Sequence, residues 1–192
     1  WPGREGDNYG DSPGNIPYDE EVIDWLLISV RAVDSLAENE VWKCAGLLYN
    51  NGTVIFPQDC ECADPLLIGV KYYIVIEHRN HLPVLSTPVY LTDFQLVYDF
   101  SENQSWIYEH PVVGPLGYGQ KLVGDQYVMY AANSEQTSAR VDINSSDDNQ
   151  WLIDNGDIFQ YRPGDHNMDG DVNATDEFVW LNNNSIFTLM PF

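Results

Sequence analysis

The sequence predicts a mainly β protein: an antiparallel β-sandwich over residues 21–105, then a smaller region of two loop-and-helix units with two short helices over 127–192. Three observations predict it. Short runs of β-forming residues alternate with turn signals through the first half. Residues Asp165–Asp176 place oxygen-bearing side chains at regular intervals, and the second half of that run is repeated 29 residues earlier. Residues 1–20 read as an extended N-terminal segment or linker and residues 106–126 as a connector.

In residues 1–20, glycine, proline and acidic residues leave almost no aliphatic side chains to bury, so order there requires contact with another chain or domain. Val22–Val30 is nearly continuous in apolar residues around Trp25, which suits a strand covered on both faces. Val33–Trp42 is polar and reads as a loop or short helix. Ala45–Tyr49 and Thr53–Phe56 flank Asn50-Asn51-Gly52, a hairpin signal that predicts a type I′ turn. Tyr72–His78 and Thr87–Leu91 read as strands. Phe94–Phe100 alternates, with Phe94, Leu96, Tyr98 and Phe100 on one face. Trp25, Leu27, Ile74, Ile76, Leu96 and Tyr98 are the expected shared core. Residues 106–126 are rich in glycine and proline and predict irregular structure, with Tyr127–Tyr130 as a short strand or bridge.

The run DHNMDGDVNATD puts Asp165, Asn167, Asp169, Asn173 and Asp176 at positions 1, 3, 5, 9 and 12 of an EF-hand-type loop. Gly170 takes position 6, where such a loop turns sharply, and Asp171 offers its carbonyl at position 7. A hard cation takes six to eight oxygens, so a short loop must aim alternate residues inward. The chemistry is that of Ca²⁺. His166 at position 2 is expected to point outward as a bystander. Pro163-Gly164 stops any helix from entering, while one should leave near Thr175 and end at Asn182-Asn183-Asn184.

The earlier copy aligns Asp142-Ile143-Asn144-Ser145-Ser146-Asp147 with Asp171-Val172-Asn173-Ala174-Thr175-Asp176, and Trp151-Leu152 with Trp180-Leu181. Ile143 and Val172 share position 8, where paired loops are expected to join through a small β-bridge. Strict register puts Gln136, Ser138 and Arg140 at positions 1, 3 and 5, and an arginine there disfavours a cation. Three inserted residues would instead offer Asn133 and Glu135, followed by Asp142, Asn144 and Asp147. A second, weaker calcium site on these five residues stays open.

A net charge of −22 excludes nucleic acid and anionic membrane surfaces as natural partners, since both require Lys and Arg in number. No apolar run reaches the ~18–20 residues of a membrane-spanning helix. The chain begins with Trp1, which reads as a processed product or a segment of something longer. Cys44, Cys60 and Cys62 lack zinc-site spacing. A disulfide from Cys44 to either of the others and three buried thiols both remain open. His78-Arg79-Asn80-His81 would suit a metal or acid–base pair, but no nucleophile motif accompanies it. A polar turn bonding backbone carbonyls is the favoured reading.

A calcium loop with only its exit helix resembles a dockerin repeat, the half EF-hand, and two repeats resemble a dockerin pair. The order IDWLLISVR, hairpin, YYIVIEHRNHLPVLS, GYGQKL and two such repeats resembles, over residues 20–190, the C-terminal region of bacterial cell-surface proteins exported by the type IX route. The first loop, poor in acidic residues, and the ending LMPF depart from that pattern. The resemblance implies an extracellular, non-catalytic terminal module that anchors, presents or docks a larger protein. The other reading is a self-assembling subunit of an extracellular filament or surface layer, with residues 1–20 lying on a neighbour. The partner is then a protein or a second copy, without membrane insertion.

Overall fold

The computed structural model describes residues 21–32, 36–56, 60, 66–92, 96–135 and 142–190. The expected N-terminal segment, Phe94, Cys62 and the strict-register positions Gln136, Ser138 and Arg140 lie outside the described residues.

The apolar run after residue 20 becomes β1 (Val22–Ala32), the centre of the main sheet. It pairs with β2 (Glu40–Tyr49) on one side and, across the sheet, with a later strand, Lys71–His78. Between these in sequence lies β3 (Val54–Ile55), which pairs with β2; Lys71–His78 is β4. The next strands, β5 (His81–Leu85) and β6 (Val89–Tyr90), both pair with β4. The path is β3-β2-β1-β4-β5, and every pairing in it is antiparallel. Glu40–Trp42, expected in a loop or helix, belongs to β2; the polar stretch before it holds one 3₁₀ turn, Ala37–Asn39.

Register separates residues that the sequence groups together. Ile28 faces Ile76 and Val30 faces Ile74, so these side chains share one face. Trp25 and Leu27 alternate to the other face, so the expected core of six mixed both sides of the sheet. A strand apolar on both faces conceals which parity meets which neighbour. On that other face Val75, Leu85, Tyr73 and Met190 form one buried cluster with Trp106 beside it. Leu26, Ile28, Ile74, Ile76, Leu96 and Tyr127 line an open apolar cleft on the opposite face.

The Asn-Gly hairpin forms with a three-residue loop. Gly52 N donates to the Tyr49 carbonyl at 2.9 Å, and Tyr49 N to the Thr53 carbonyl at 2.8 Å. Gly52 takes φ +82° and Asn50 and Asn51 stay at negative φ, so a glycine bulge replaces the expected type I′ turn.

Leu96, Tyr98 and Phe100 are half-buried while Val97 and Asp99 are exposed, as alternation predicts, yet residues 96–99 form no strand. Asp99 Oδ1 accepts from Ser101 N at 2.8 Å and Glu102 N at 3.3 Å, and Tyr98 Oη donates to the Gln104 carbonyl at 3.0 Å. Such local bonds compete with a ladder. The expected irregular connector holds two ribbons, β7 (Tyr108–His110) with β8 (Gly114–Leu116) and β9 (Lys121–Val123) with β10 (Gln126–Val128). Cys44 on β2 and Cys60 form a disulfide, with Cα atoms 5.8 Å apart.

Two helices follow, α1 (Ser145–Asp154) and α2 (Ala174–Asn183). Leu82 of β5, Ala132 and Ile143 are all fully enclosed, with Tyr130, Val179, Trp180 and Ile186 packed around them. This cluster fastens the helical region to the sheet. Among the described residues no helix is long and apolar enough to cross a membrane.

Candidate metal centre

The sequence between Gly164 and α2 folds as a closed loop because its side chains bond its own backbone. Asp165 Oδ1 and Oδ2 accept from Asp169 N and Gly170 N, each at 3.1 Å. Asp169 Oδ1 accepts from Asp171 N at 3.0 Å, and Asn167 Oδ1 from Asp169 N at 3.0 Å. Asp176 closes the ring, taking Asn167 N at 3.0 Å and Asn173 N at 2.9 Å on its two oxygens. Asn173 Oδ1 caps α2 through Thr175 N at 2.8 Å. Gly170 lies at φ +89°, the sharp turn expected of position 6. Met168 also takes a positive φ, 61°, a strain that spacing alone does not reveal.

All six expected positions are therefore drawn into one loop. Among the described residues, however, no group of three or more His, Cys, Asp or Glu side chains is gathered as a metal-binding cluster. The carboxylates are engaged by backbone N–H groups, each of which uses only part of an ionised carboxylate's four acceptor sites. Three observations fit a hard cation. The donor set is all oxygen; Asp165 and Asp176 are fully enclosed; and Asp169 and Asp176 stand close enough to Asp165 to raise its proton affinity. Burial, with Asp176 and Asp169 nearby, pushes the Asp165 carboxyl above the usual range despite the Arg79 guanidinium and the Gly170 N–H. A bound cation would relieve that crowding.

The two described ends of the earlier loop, residues 133–135 and 142–147, repeat this bonding in the inserted register. Asp147 takes Glu135 N and Asn144 N, each at 2.8 Å, as Asp176 takes Asn167 N and Asn173 N. Glu135 thus stands at position 3 and Asn133 at position 1. Asn144 caps α1, accepting from Ser146 N at 2.7 Å, and its Nδ2 donates to Asp142 Oδ2 at 2.9 Å. The neutral Asn133 side chain is directed to the His81 carbonyl at 3.4 Å. Burial pushes the Asp147 carboxyl up, against the pull of its backbone bonds.

The two units are related by an approximate two-fold axis. Trp151 Nε1 donates to the Asn173 carbonyl at 2.9 Å and Trp180 Nε1 to the Asn144 carbonyl at 2.8 Å. The position-8 residues do not bridge to each other as expected. Ile143 exchanges backbone bonds with Ile186 and Ser185, beyond α2, and Val172 with Gly156 and Asp157, beyond α1. Each position 8 is buried, so the pairing goes to the chain that leaves the other helix.

His166 does not point outward. It is 1% exposed, its Nδ1 donates to the Asp176 carbonyl at 3.0 Å, and its Nε2 meets Ser134 Oγ at 3.2 Å. Ser134 Oγ reaches the Asp147 carbonyl at 3.2 Å, so the two position-2 side chains do matching work and touch at the axis. Burial holds the His166 imidazole below its usual range.

The turn Arg79-Asn80, between β4 and β5, wedges between the two loops. Asn80 Nδ2 donates to the Asp165 carbonyl, and Asn133 N donates to the Asn80 carbonyl at 3.0 Å. Arg79 donates to the Arg162 carbonyl through Nη1 and to Asp24 Oδ2 through Nε at 3.1 Å, and stacks 4.2 Å from the Tyr161 ring centre. Tyr161 Oη donates to Asp24 Oδ1 at 2.6 Å, and His78 Nε2 lies 3.1 Å from Asp24 Oδ2. Burial raises the Asp24 carboxyl, but His78, Arg79 and Tyr161 outweigh it and hold the group well below the usual range. Burial, with His78 and Arg79 beside it, holds His81 well below the imidazole range. The polar turn expected here, with His and Arg on backbone carbonyls, holds for Arg79, while His78 meets the Asp24 carboxylate and His81 meets His78 and the Asn80 side chain. Motif spacing does not single out Asp24; its signal in the sequence is a lone carboxylate inside an apolar strand.

No protein-family model matches the chain, and no curated protein matches it.

Proposed function

We propose that this chain is a calcium-stabilised, non-catalytic extracellular module, a β-sandwich followed by a dockerin-like pair of half EF-hands, that anchors, presents or docks a cell-surface protein. The order of its strands, hairpin and paired loops resembles the terminal region of type IX-exported cell-surface proteins. The observation that carries it is the matched closure of two loops by Asp147 and Asp176 around reciprocal tryptophan bonds. Only the second loop adds enclosed Asp165 with Asp169, so Ca²⁺ is assigned there first and to Asn133, Glu135, Asp142, Asn144 and Asp147 second. The Cys44–Cys60 disulfide suits an oxidising, exported location. A non-catalytic role is supported by His78, His81 and His166 each being spent on internal partners.

Isothermal titration with Ca²⁺ and with Mg²⁺, alongside Asp165→Ala/Asp176→Ala, tests the reading. Calcium should bind far better than magnesium, and the double variant should lose the tighter binding event. Absence of heat in the wild type, with no calcium by elemental analysis, overturns it. A self-assembling subunit is the second reading, favoured by the open apolar cleft on the sheet. Light scattering of the full chain and of a chain lacking Trp1–Pro17 decides that point: a polymer that survives the deletion removes the role given to the N-terminal segment.

A further inference from the structure

Arg79 is 4% exposed and stands between two carboxylates that are themselves enclosed, Asp24 and Asp165. Its Nη2 lies 3.5 Å from Asp165 Oδ2, the oxygen that also receives Gly170 N. A divalent ion drawing on Asp165 would meet this guanidinium at close range, where burial weakens screening. The guanidinium cannot simply swing into solvent. Asp24, the Arg162 carbonyl and the Tyr161 ring hold it from the other sides. Its neighbour Asn80 is bonded to both loops at once.

We propose that Arg79 is a resident counter-charge of the calcium loop: it weakens cation binding at Asp165 and carries the loop's occupancy to the sheet through Asp24 and the β4–β5 turn. This rests on the calcium reading of that loop. Without an ion, Arg79 offsets the crowded carboxylates and keeps the loop closed. With an ion, like-charge repulsion loads the Arg79–Asp24–Tyr161 clamp, so binding at residues 165–176 is felt in β1 and β4. In the first loop the equivalent position is the neutral Asn133 rather than a carboxylate. Purely structural packing of Arg79 would leave calcium affinity unaltered.

The test is calcium titration of the full chain carrying Arg79→Gln or Arg79→Lys. A charge beside a carboxylate typically shifts its proton affinity by about 1–3 pKa units. Arg79→Gln should therefore bind Ca²⁺ about tenfold or more tightly, while Arg79→Lys stays within about threefold of wild type. Equal or weaker binding by Arg79→Gln overturns the proposal. Should that variant not fold, ¹⁵N NMR of the wild type reads the same coupling. Calcium should move both the Gly170 amide and the Arg79 Nε–H resonance. Movement of Gly170 alone removes the coupling but leaves the calcium loop standing. If neither moves, the calcium reading falls and the proposal with it.

Discussion

The approximate two-fold supplies its own control for calcium binding, through Asp176→Ala and Asp147→Ala. Each substitution deletes the same pair of backbone bonds, to Asn167 and Asn173 in one loop and to Glu135 and Asn144 in the other. Hydrogen bonds to a charged group contribute about 1.5–3 kcal/mol each. Removing the buried charge offsets part of that, so both variants should lose about 3 kcal/mol in excess chelator. Calcium should separate them. For free Ca²⁺ about 100-fold above Kd, linkage adds roughly 2.7 kcal/mol per site. Wild type and Asp147→Ala should gain that amount from the second loop, a rise of about 5–11 °C in Tm for a chain of this size. Asp176→Ala should gain almost nothing. Urea melts by circular dichroism, with and without chelator, give all six stabilities. If the two variants respond to calcium within about 0.5 kcal/mol of each other, loop asymmetry is not what selects the ion site.

Trp151→Phe and Trp180→Phe should each cost about 1–2 kcal/mol by removing one indole bond, and the double variant should cost less than their sum because the bonds brace one interface; strict additivity in denaturant melts would refute that coupling. The lowered Asp24 carboxyl contributes stability that is whole above its unfolded value of about 3.9 and is lost as pH falls through the folded one. Asp24→Asn should therefore flatten the stability–pH profile below about pH 4, and an unchanged slope counts against the clamp. Asp165 runs the other way: with its folded value raised, the calcium-free loop gains stability as pH falls through that value. Asp165→Asn should thus be neutral or stabilising in chelator at pH 7 and destabilising in calcium, which thermal melts check directly. Reducing the Cys44–Cys60 bridge, which spans 16 residues, should lower stability by about 3 kcal/mol; a melt insensitive to reductant contradicts it.

By itself the sequence determined the features that arise within short stretches of chain. A continuous apolar run placed β1 and a run of β-forming residues placed β4; Asn50-Asn51-Gly52 marked the hairpin; Asp/Asn spacing defined residues 165–176 and the helix leaving them; and the 29-residue echo located the earlier helix. These properties depend on neighbours a few positions away, which sterics and side-chain reach already constrain. Tertiary structure decided what depends on distant partners. It chose the inserted register of the first loop through Asp147, sent Ile143 and Val172 to the chain beyond the opposite helix, and turned His166 inward onto Ser134. It also brought Asp24, Arg79 and Asp165 together across separations of 55 residues and more. No periodicity encodes such meetings. They follow because a few charged groups trapped in a closing core must find partners there, and only the folded chain shows which are within reach.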